Sequence, residues 1–174
     1  MKILIVVDMQ KDFVDGSLGS KEAVSIVPAV VKKARDFDGT VLFTRDTHGE
    51  DYMETQEGKY LPVAHCIRGT EGWELIPELE EMKDSRKAQC FDKPAFGSVA
   101  LAEALRAMYE AGELGSVELV GLCTDICVVS NALLIKAFMP ELPVSVDASC
   151  CAGVTPEKHA AALETMRSCQ IQIL

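Results

Sequence analysis

The sequence contains no G-x-G triplet and no G-x-x-x-x-G-K element. A dinucleotide fold needs the first at a strand-to-helix turn and a P-loop needs the second, so both nucleotide classes drop away. No C-x-x-C occurs, which disfavours a thioredoxin-like redox role. No apolar run approaches the length of a membrane span. Basic residues are outnumbered: 17 Lys and Arg against 27 Asp and Glu give a formal net charge of −10. That balance argues against nucleic acid, whose phosphates need a basic surface, and against an anionic membrane. The acidic residues are dispersed and read as a solvated surface. Repeats, low-complexity tracts and Pro/Gly/Ser linkers are also missing, and 174 residues suit one domain spanning 1–174.

Seven cysteines are present, an odd number. The apolar start, Ile3 to Val7, is too short for a secretory signal core and ends in Asp8 without a small-residue cleavage site. A disulfide framework is therefore not expected, and a cytoplasmic setting is. In that setting most cysteines are small buried hydrophobes. Cys66, Cys90, Cys150, Cys151 and Cys169 are read that way.

Short strand-like runs alternate with helical patterns. Lys2–Val7 is a continuous apolar strand of the kind buried on both faces. Glu22–Phe37 has helical spacing, and Gly39 follows as a stop. Thr40–Arg45 reads as the second strand, and 46–82 as a long irregular region. Lys87–Phe91 is the third strand and Ser98–Glu110 a helix capped by Ser98. Val117–Leu122, Pro143–Val146 and Gln170–Leu174 complete the strands. Asp125–Met139 and Pro156–Ser168 complete the helices, the latter with Thr155 as cap and Pro156 in the first turn. The expectation is a three-layer α/β sandwich with a six-stranded parallel, Rossmann-like sheet in the order 3-2-1-4-5-6.

In open α/β sheets, sites gather beyond the carboxyl ends of the strands. Those ends hold Asp8, then Asp46 with His48, then Lys93, then the segment from Cys123 to Cys127. Cys127 falls in the first turn of a helix, where free N–H groups and the helix dipole favour an anion and lower a thiol's pKa. Thr124 or Asp125 is placed to cap that helix. The competing reading is a structural cysteine in an apolar helix. Cys123 lies four residues before Cys127, but the spacing is not that of a zinc finger and no nearby histidine completes it. Asp8 can serve as the base for the thiol if strands one and four are neighbours, in a desolvated place that raises its pKa. Lys93 can hold the two together, its plain alternative being an exposed loop lysine. Asp46, His48 and His65 form a ligand set suited to zinc, iron or manganese, and Glu54 or Glu57 between them could add another. The plain alternative is histidines that only hydrogen-bond within a loop. His159 is read as a surface or helix-end histidine.

These segments, taken jointly, resemble the isochorismatase-like cysteine hydrolases, and within them the nicotinamidases. Val6 to Phe13 is similar to the family's opening motif, whose Asp is the catalytic base. Thr44 to His48 is similar to its first metal motif, and Leu61 to Gly72 to the segment bearing the last metal histidine. Lys93 to Ser98 is similar to the catalytic lysine segment, and Gly121 to Val128 to the nucleophile motif. The resemblance implies Asp8, Lys93 and Cys127 as catalytic residues. It implies an oxyanion hole from the amides of Cys123 and Cys127, with a cis peptide before Cys123. Phe13 and Phe96 would flank the substrate ring, joined by Leu18. Asp46, His48 and His65 would hold one divalent ion, Zn2+ first and Fe2+ or Mn2+ next. The implied reaction is hydrolysis of nicotinamide to nicotinate and ammonia through a cysteine thioester, in NAD salvage, and a homo-oligomer is compatible with it. Two features depart from the family: Gly49–Tyr60 differs from many members, and Leu61 to Ala64 stands where an aromatic usually precedes the metal histidine. The rival activities are a metal-free relative acting on another small amide or carbamoyl compound, and a non-catalytic binding protein on the same fold.

Overall fold

The computed structural model describes residues 1–174. Its centre is β1 (Lys2–Val7), in which Ile3 through Val7 have no solvent exposure. Burial on both faces is what a continuous β-branched run needs. β2 (Thr40–Asp46) pairs with one side of β1 and β4 (Ser116–Leu122) with the other. β3 (Cys90–Lys93) extends the sheet beyond β2, while β5 (Val144–Ala152) and β6 (Gln172–Ile173) extend it beyond β4. All pairings are parallel, and the order is 3-2-1-4-5-6, as expected.

Alternation along β1 divides the core. Ile3, Ile5 and Val7 pack with Leu101 and Leu105 of α5 (Val99–Glu110), Ile135 of α6 (Val129–Phe138) and Met166 of α7 (Pro156–Ser168). Leu4 and Val6 face the opposite layer, with Ile26 and Val30 of α2 (Lys21–Asp36) and Leu79 of α4 (Pro77–Arg86). Ser20, Ser98 and Thr155 cap α2, α5 and α7 by accepting from the amides of Ala23, Leu101 and Lys158. No helix is long and apolar enough to cross a membrane.

Four local expectations are corrected. The third strand begins three residues later than its hydropathy suggested, because Lys87 takes a left-handed conformation that ends α4 and turns the chain. The region 46–82 is not irregular throughout: it holds α4, the short helix α3 (Gln56–Tyr60) and two 3-10 turns, Tyr52–Glu54 and Glu71–Trp73. A further short helix, α1 (Lys11–Val14), follows β1. β5 runs on to Ala152, because an irregularity in its pairing with β4 carries the ladder to Cys151 and Ala152.

Candidate active site and carboxylate–histidine cluster

Register brings the reactive residues to one end of the sheet. Val7 pairs with Thr44 and with Gly121, so Asp8 emerges between β2 and β4. Its backbone has a left-handed φ of 47°, a sparsely populated region for a non-glycine residue. Asp46 pairs with Lys93, which sets those side chains at the last position of β2 and β3. Gly121 has φ +117°, and a Cβ there would lie 2.1 Å from the Val7 carbonyl oxygen, so only glycine lets β4 pass this close to Asp8.

Lys93 is fully buried and is the hub. Its Nζ lies 2.7 Å from Asp8 Oδ2, 3.1 Å from Asp46 Oδ1 and 3.4 Å from Cys127 Sγ, and it donates to the Ala95 carbonyl at 3.2 Å. The Asp8 contact is a close ion pair lying off the hydrogen-bonding direction, which leaves Oδ2 without an aligned donor. The other oxygen, Oδ1, accepts from the Thr44 hydroxyl at 2.6 Å. Burial raises the Asp8 pKa, with Lys93 opposing it. Burial works against the Lys93 ammonium, but the facing groups Asp8, Cys127 and Asp46 outweigh it and hold the proton on. Burial also pushes the Cys127 thiol well above its ordinary range, Asp8 adds to this, and Lys93 opposes it. The helix terminus favours an anion at this position, while burial and the two carboxylates facing the sulfur, Asp8 and Asp46, work against it.

The segment around Cys127 is a wide π turn, Thr124–Val128, closed by bonds from the Val128 amide to the Cys123 carbonyl and from the Val129 amide to the Thr124 carbonyl. The Leu122–Cys123 peptide is cis. Neither Thr124 nor Asp125 caps the helix. Asp125 instead accepts from the Val154 amide at 2.9 Å, and the Thr124 hydroxyl pairs with His159 Nδ1 at 2.8 Å. His159 is thus half-buried against the π turn rather than a surface residue, and burial lowers its pKa. Cys169 is exposed rather than buried, whereas Cys66, Cys150 and Cys151 are buried and Cys90 is half-buried against the core.

Beside the hub, Asp46, His48, Glu57 and His65 offer ligand atoms all within 4.8 Å of one another. His48 Nε2 is 3.0 Å from Asp46 Oδ2 and 3.7 Å from Glu57 Oε1, and His65 Nε2 is 3.7 Å from both carboxylates. Metal–ligand bonds of about 2.0–2.2 Å in a tetrahedron imply ligand–ligand edges of about 3.4 Å, which these separations bracket. His65 Nδ1 lies 2.8 Å from the Val63 carbonyl, an arrangement that puts the ring proton there and turns the Nε2 lone pair to the centre. Glu57, on α3, joins the cluster; Glu54 is exposed and does not.

A cavity of about 510 Å3 opens onto this end of the sheet, within the range for small-molecule sites. Phe13, Leu18 and Phe96 line it together with Cys123, Cys127, Asp46, Glu57 and His65. Supporting residues lay outside the sequence reading. Buried Gln10 grips the Asp46 backbone from both sides, at 2.7 Å and 2.8 Å. Asp12 accepts from the Cys66 amide at 2.8 Å. Tyr52 packs edge-on against both histidine rings. Asn131 bonds the Cys127 carbonyl at 2.8 Å and the Ser98 amide at 2.9 Å. Only Gln10 and Asp12, inside the opening motif, carried a signal that could have pointed to them.

A thiol, a carboxylate and an ammonium are thus buried together at the carboxyl end of a parallel α/β sheet, beside a ligand-sized cavity, an arrangement of the hydrolase class. The isochorismatase domain pattern matches residues 2–174, and the chain belongs to that family. It is 29% identical over 190 residues to the nicotinamidase/pyrazinamidase of Mycobacterium tuberculosis, covering 100% of this chain and 98% of the relative. It is also similar to the crystal structure of a pyrazinamidase/nicotinamidase from Streptococcus mutans, with TM-score 0.86, 28% identity and 100% of each chain covered. A third match is the pyrazinamidase of Pyrococcus horikoshii in complex with zinc, with TM-score 0.79, 30% identity and 99% and 98% covered.

Proposed function

We propose that this chain hydrolyses nicotinamide to nicotinate and ammonia through a thioester on Cys127. Its amidohydrolase class follows from relatives matched end to end. The observation that carries the detailed reading is the single buried ammonium of Lys93, which lies within 3.4 Å of a carboxylate on one side and a thiol on the other. Asp8 takes the thiol proton, and Lys93 stabilises both anions in turn. The sulfur attacks the carboxamide carbon, and the amides of Cys123 and Cys127 hold the oxyanion, each such donor being worth about 3–4 kcal/mol. Asp8 then delivers its proton to the departing nitrogen, ammonia leaves and a thioester remains, so one hard step becomes two. Asp8 next takes a proton from water, the resulting hydroxide attacks the thioester, the C–S bond breaks to release nicotinate and a proton, and Asp8 returns its proton to the Cys127 thiolate. Phe13, Leu18 and Phe96 form the apolar walls for the ring.

Asp46, His48, Glu57 and His65 would hold one divalent ion, zinc before iron or manganese on donor chemistry. When bound, the ion supplies a Lewis-acid contact for the ring nitrogen and so orients the ring. Release of nicotinate fits a role in NAD salvage in the cytoplasm. The test is ammonia release from nicotinamide with and without chelator. Turnover should be lost on chelation and restored by zinc, and Cys127→Ala should be folded but inactive. Sustained turnover by that variant would remove the nucleophile from this scheme.

A further inference from the structure

The only tryptophan, Trp73, is tied to the metal-ligand strand at both of its polar ends. Its indole Nε1 donates to the Thr47 hydroxyl at 2.8 Å, and Thr47 stands between Asp46 and His48. Its carbonyl accepts from Gln10 Nε2 at 2.9 Å, and the same nitrogen reaches the Asp46 carbonyl at 2.8 Å. The ring is held in place from outside. Arg45 stacks over it at 3.7 Å and Arg68 lies 5.6 Å from its centroid. Asp92 locks both guanidiniums, one carboxylate oxygen to each, at 2.8 Å and 2.9 Å. Arg68 in turn donates its amide to the His48 carbonyl at 3.0 Å. Arg45 belongs to β2, which ends in Asp46, Asp92 to β3 beside Lys93, and Arg68 and Trp73 to the stretch that follows His65.

We propose that Trp73, clamped by Arg45, Arg68 and Asp92, is a positioning residue that fixes Thr47 and thereby the separation of Asp46 and His48 as ligands. This rests on the metal reading above. The physical reason is that the ring fixes the side chain of the one residue between Asp46 and His48, whose backbone is already held by the Thr47 amide to the Lys93 carbonyl at 2.9 Å and the His48 amide to the Cys66 carbonyl at 3.0 Å. A hydroxyl that both donates to the Arg45 carbonyl at 3.1 Å and accepts from the indole has its rotamer determined, and with it the local backbone. Outer contacts of this kind typically change metal affinity by about 10–100-fold.

The experiment is zinc titration of the chelator-treated full chain against a chromophoric competitor, with the Tm of the metal-free protein recorded in parallel. Trp73→Phe keeps a stacking ring but loses the N–H donor. It should weaken zinc binding by about tenfold or more while leaving the metal-free Tm nearly unchanged. Thr47→Val should weaken zinc binding to a similar degree, and Thr47→Ser should restore it. The double variant Trp73→Phe/Thr47→Val should be no weaker than either single one, since both remove the same bond. Additive losses, or wild-type affinity in Trp73→Phe and Thr47→Val alike, would overturn the proposal. Should Trp73→Phe fold poorly, the Thr47 pair decides alone by the same criteria. Failure of the wild-type chain itself to bind zinc, iron or manganese would sink the metal reading together with this one, and is distinguished by that control.

Discussion

Replacing Lys93 by methionine removes one buried charge and leaves two carboxylates facing its place. At an effective dielectric constant of 20, the ion pairs at 2.7 Å and 3.1 Å correspond to gross attractions of about 6 and about 5 kcal/mol. Desolvation of the three charges offsets most of that. Breaking a buried pair by deleting one partner nevertheless costs about 3–5 kcal/mol, because the remaining charge is uncompensated. Lys93→Met should therefore lower the free energy of unfolding by about that amount in urea titrations near neutral pH. The loss has a pH dependence of fixed sign. Asp8 already has a raised pKa through burial, and Lys93 is the strongest influence holding it down. Without Lys93 the carboxyl keeps its proton to higher pH. A carboxyl whose folded pKa is raised contributes stability below its unfolded value of 3.8, and that contribution is lost as pH rises through the folded pKa. The deficit of the variant should thus be larger at pH 8 than at pH 5. If Asp8 is the base of the proposed scheme, the acid limb of kcat/KM should move upward as well. Turnover at neutral pH should fall by about 10²–10⁴, the usual worth of a positioned base. Zinc stoichiometry should remain intact, since Nζ is not a ligand. Ammonia release followed across pH, with unfolding measured on the same samples, makes the test. Turnover within tenfold of wild type and an unmoved acid limb would refute the account of Lys93 as the hub.

Three further outcomes follow from the geometry. Glu57→Gln should weaken zinc binding by about tenfold or more, whereas Glu54→Gln should leave it unchanged, as read by competition with a chelating dye; equal effects would contradict the cluster. Gly121→Ala should destabilise the fold by more than about 3 kcal/mol in urea, since it combines a forbidden φ with a Cβ 2.1 Å from the Val7 carbonyl oxygen; a near-neutral result would mean β4 can shift away. His159, whose pKa is lowered by burial, takes up its proton in the unfolded chain first as pH falls below about 6.5. Stability must then decline as pH drops through that range, and in metal-free protein His159→Gln should show a shallower decline than wild type.

The layout of the sheet was legible because β1 is a run of five wholly buried residues, and a strand buried on both faces shows in composition without any knowledge of partners. The caps at Ser98 and Thr155 were legible for a similar reason: a hydroxyl three residues before the amide it accepts from is a local geometry. The positions of Asp8, Asp46, Lys93 and Cys127 followed from one rule about strand ends. Beyond that, local reasoning has no access to groups brought in from other strands. The first turn of a helix favours an anion at Cys127, but burial and the facing carboxylates of Asp8 and Asp46, which come from other strands, push its thiol pKa up. The third strand was displaced because a left-handed Lys87 is not visible in hydropathy.

The choice between Glu54 and Glu57 shows the same division. The two residues are three apart and chemically alike, and only the turn from Tyr52 into α3 sends one to the histidines and the other to solvent. By itself the sequence determined the strands and the strand ends at which Asp8, Asp46, Lys93 and the Cys123–Cys127 segment emerge, because hydrophobic period and motif spacing are properties of neighbours along the chain. Only the tertiary structure decided that Lys93 is buried among them, that Glu57 joins the carboxylate–histidine cluster and that Trp73 lies clamped behind it. The first depends on register between strands about 37–47 residues apart and the others on loops folded back onto them, where packing and the fields of distant charges take over from local preference.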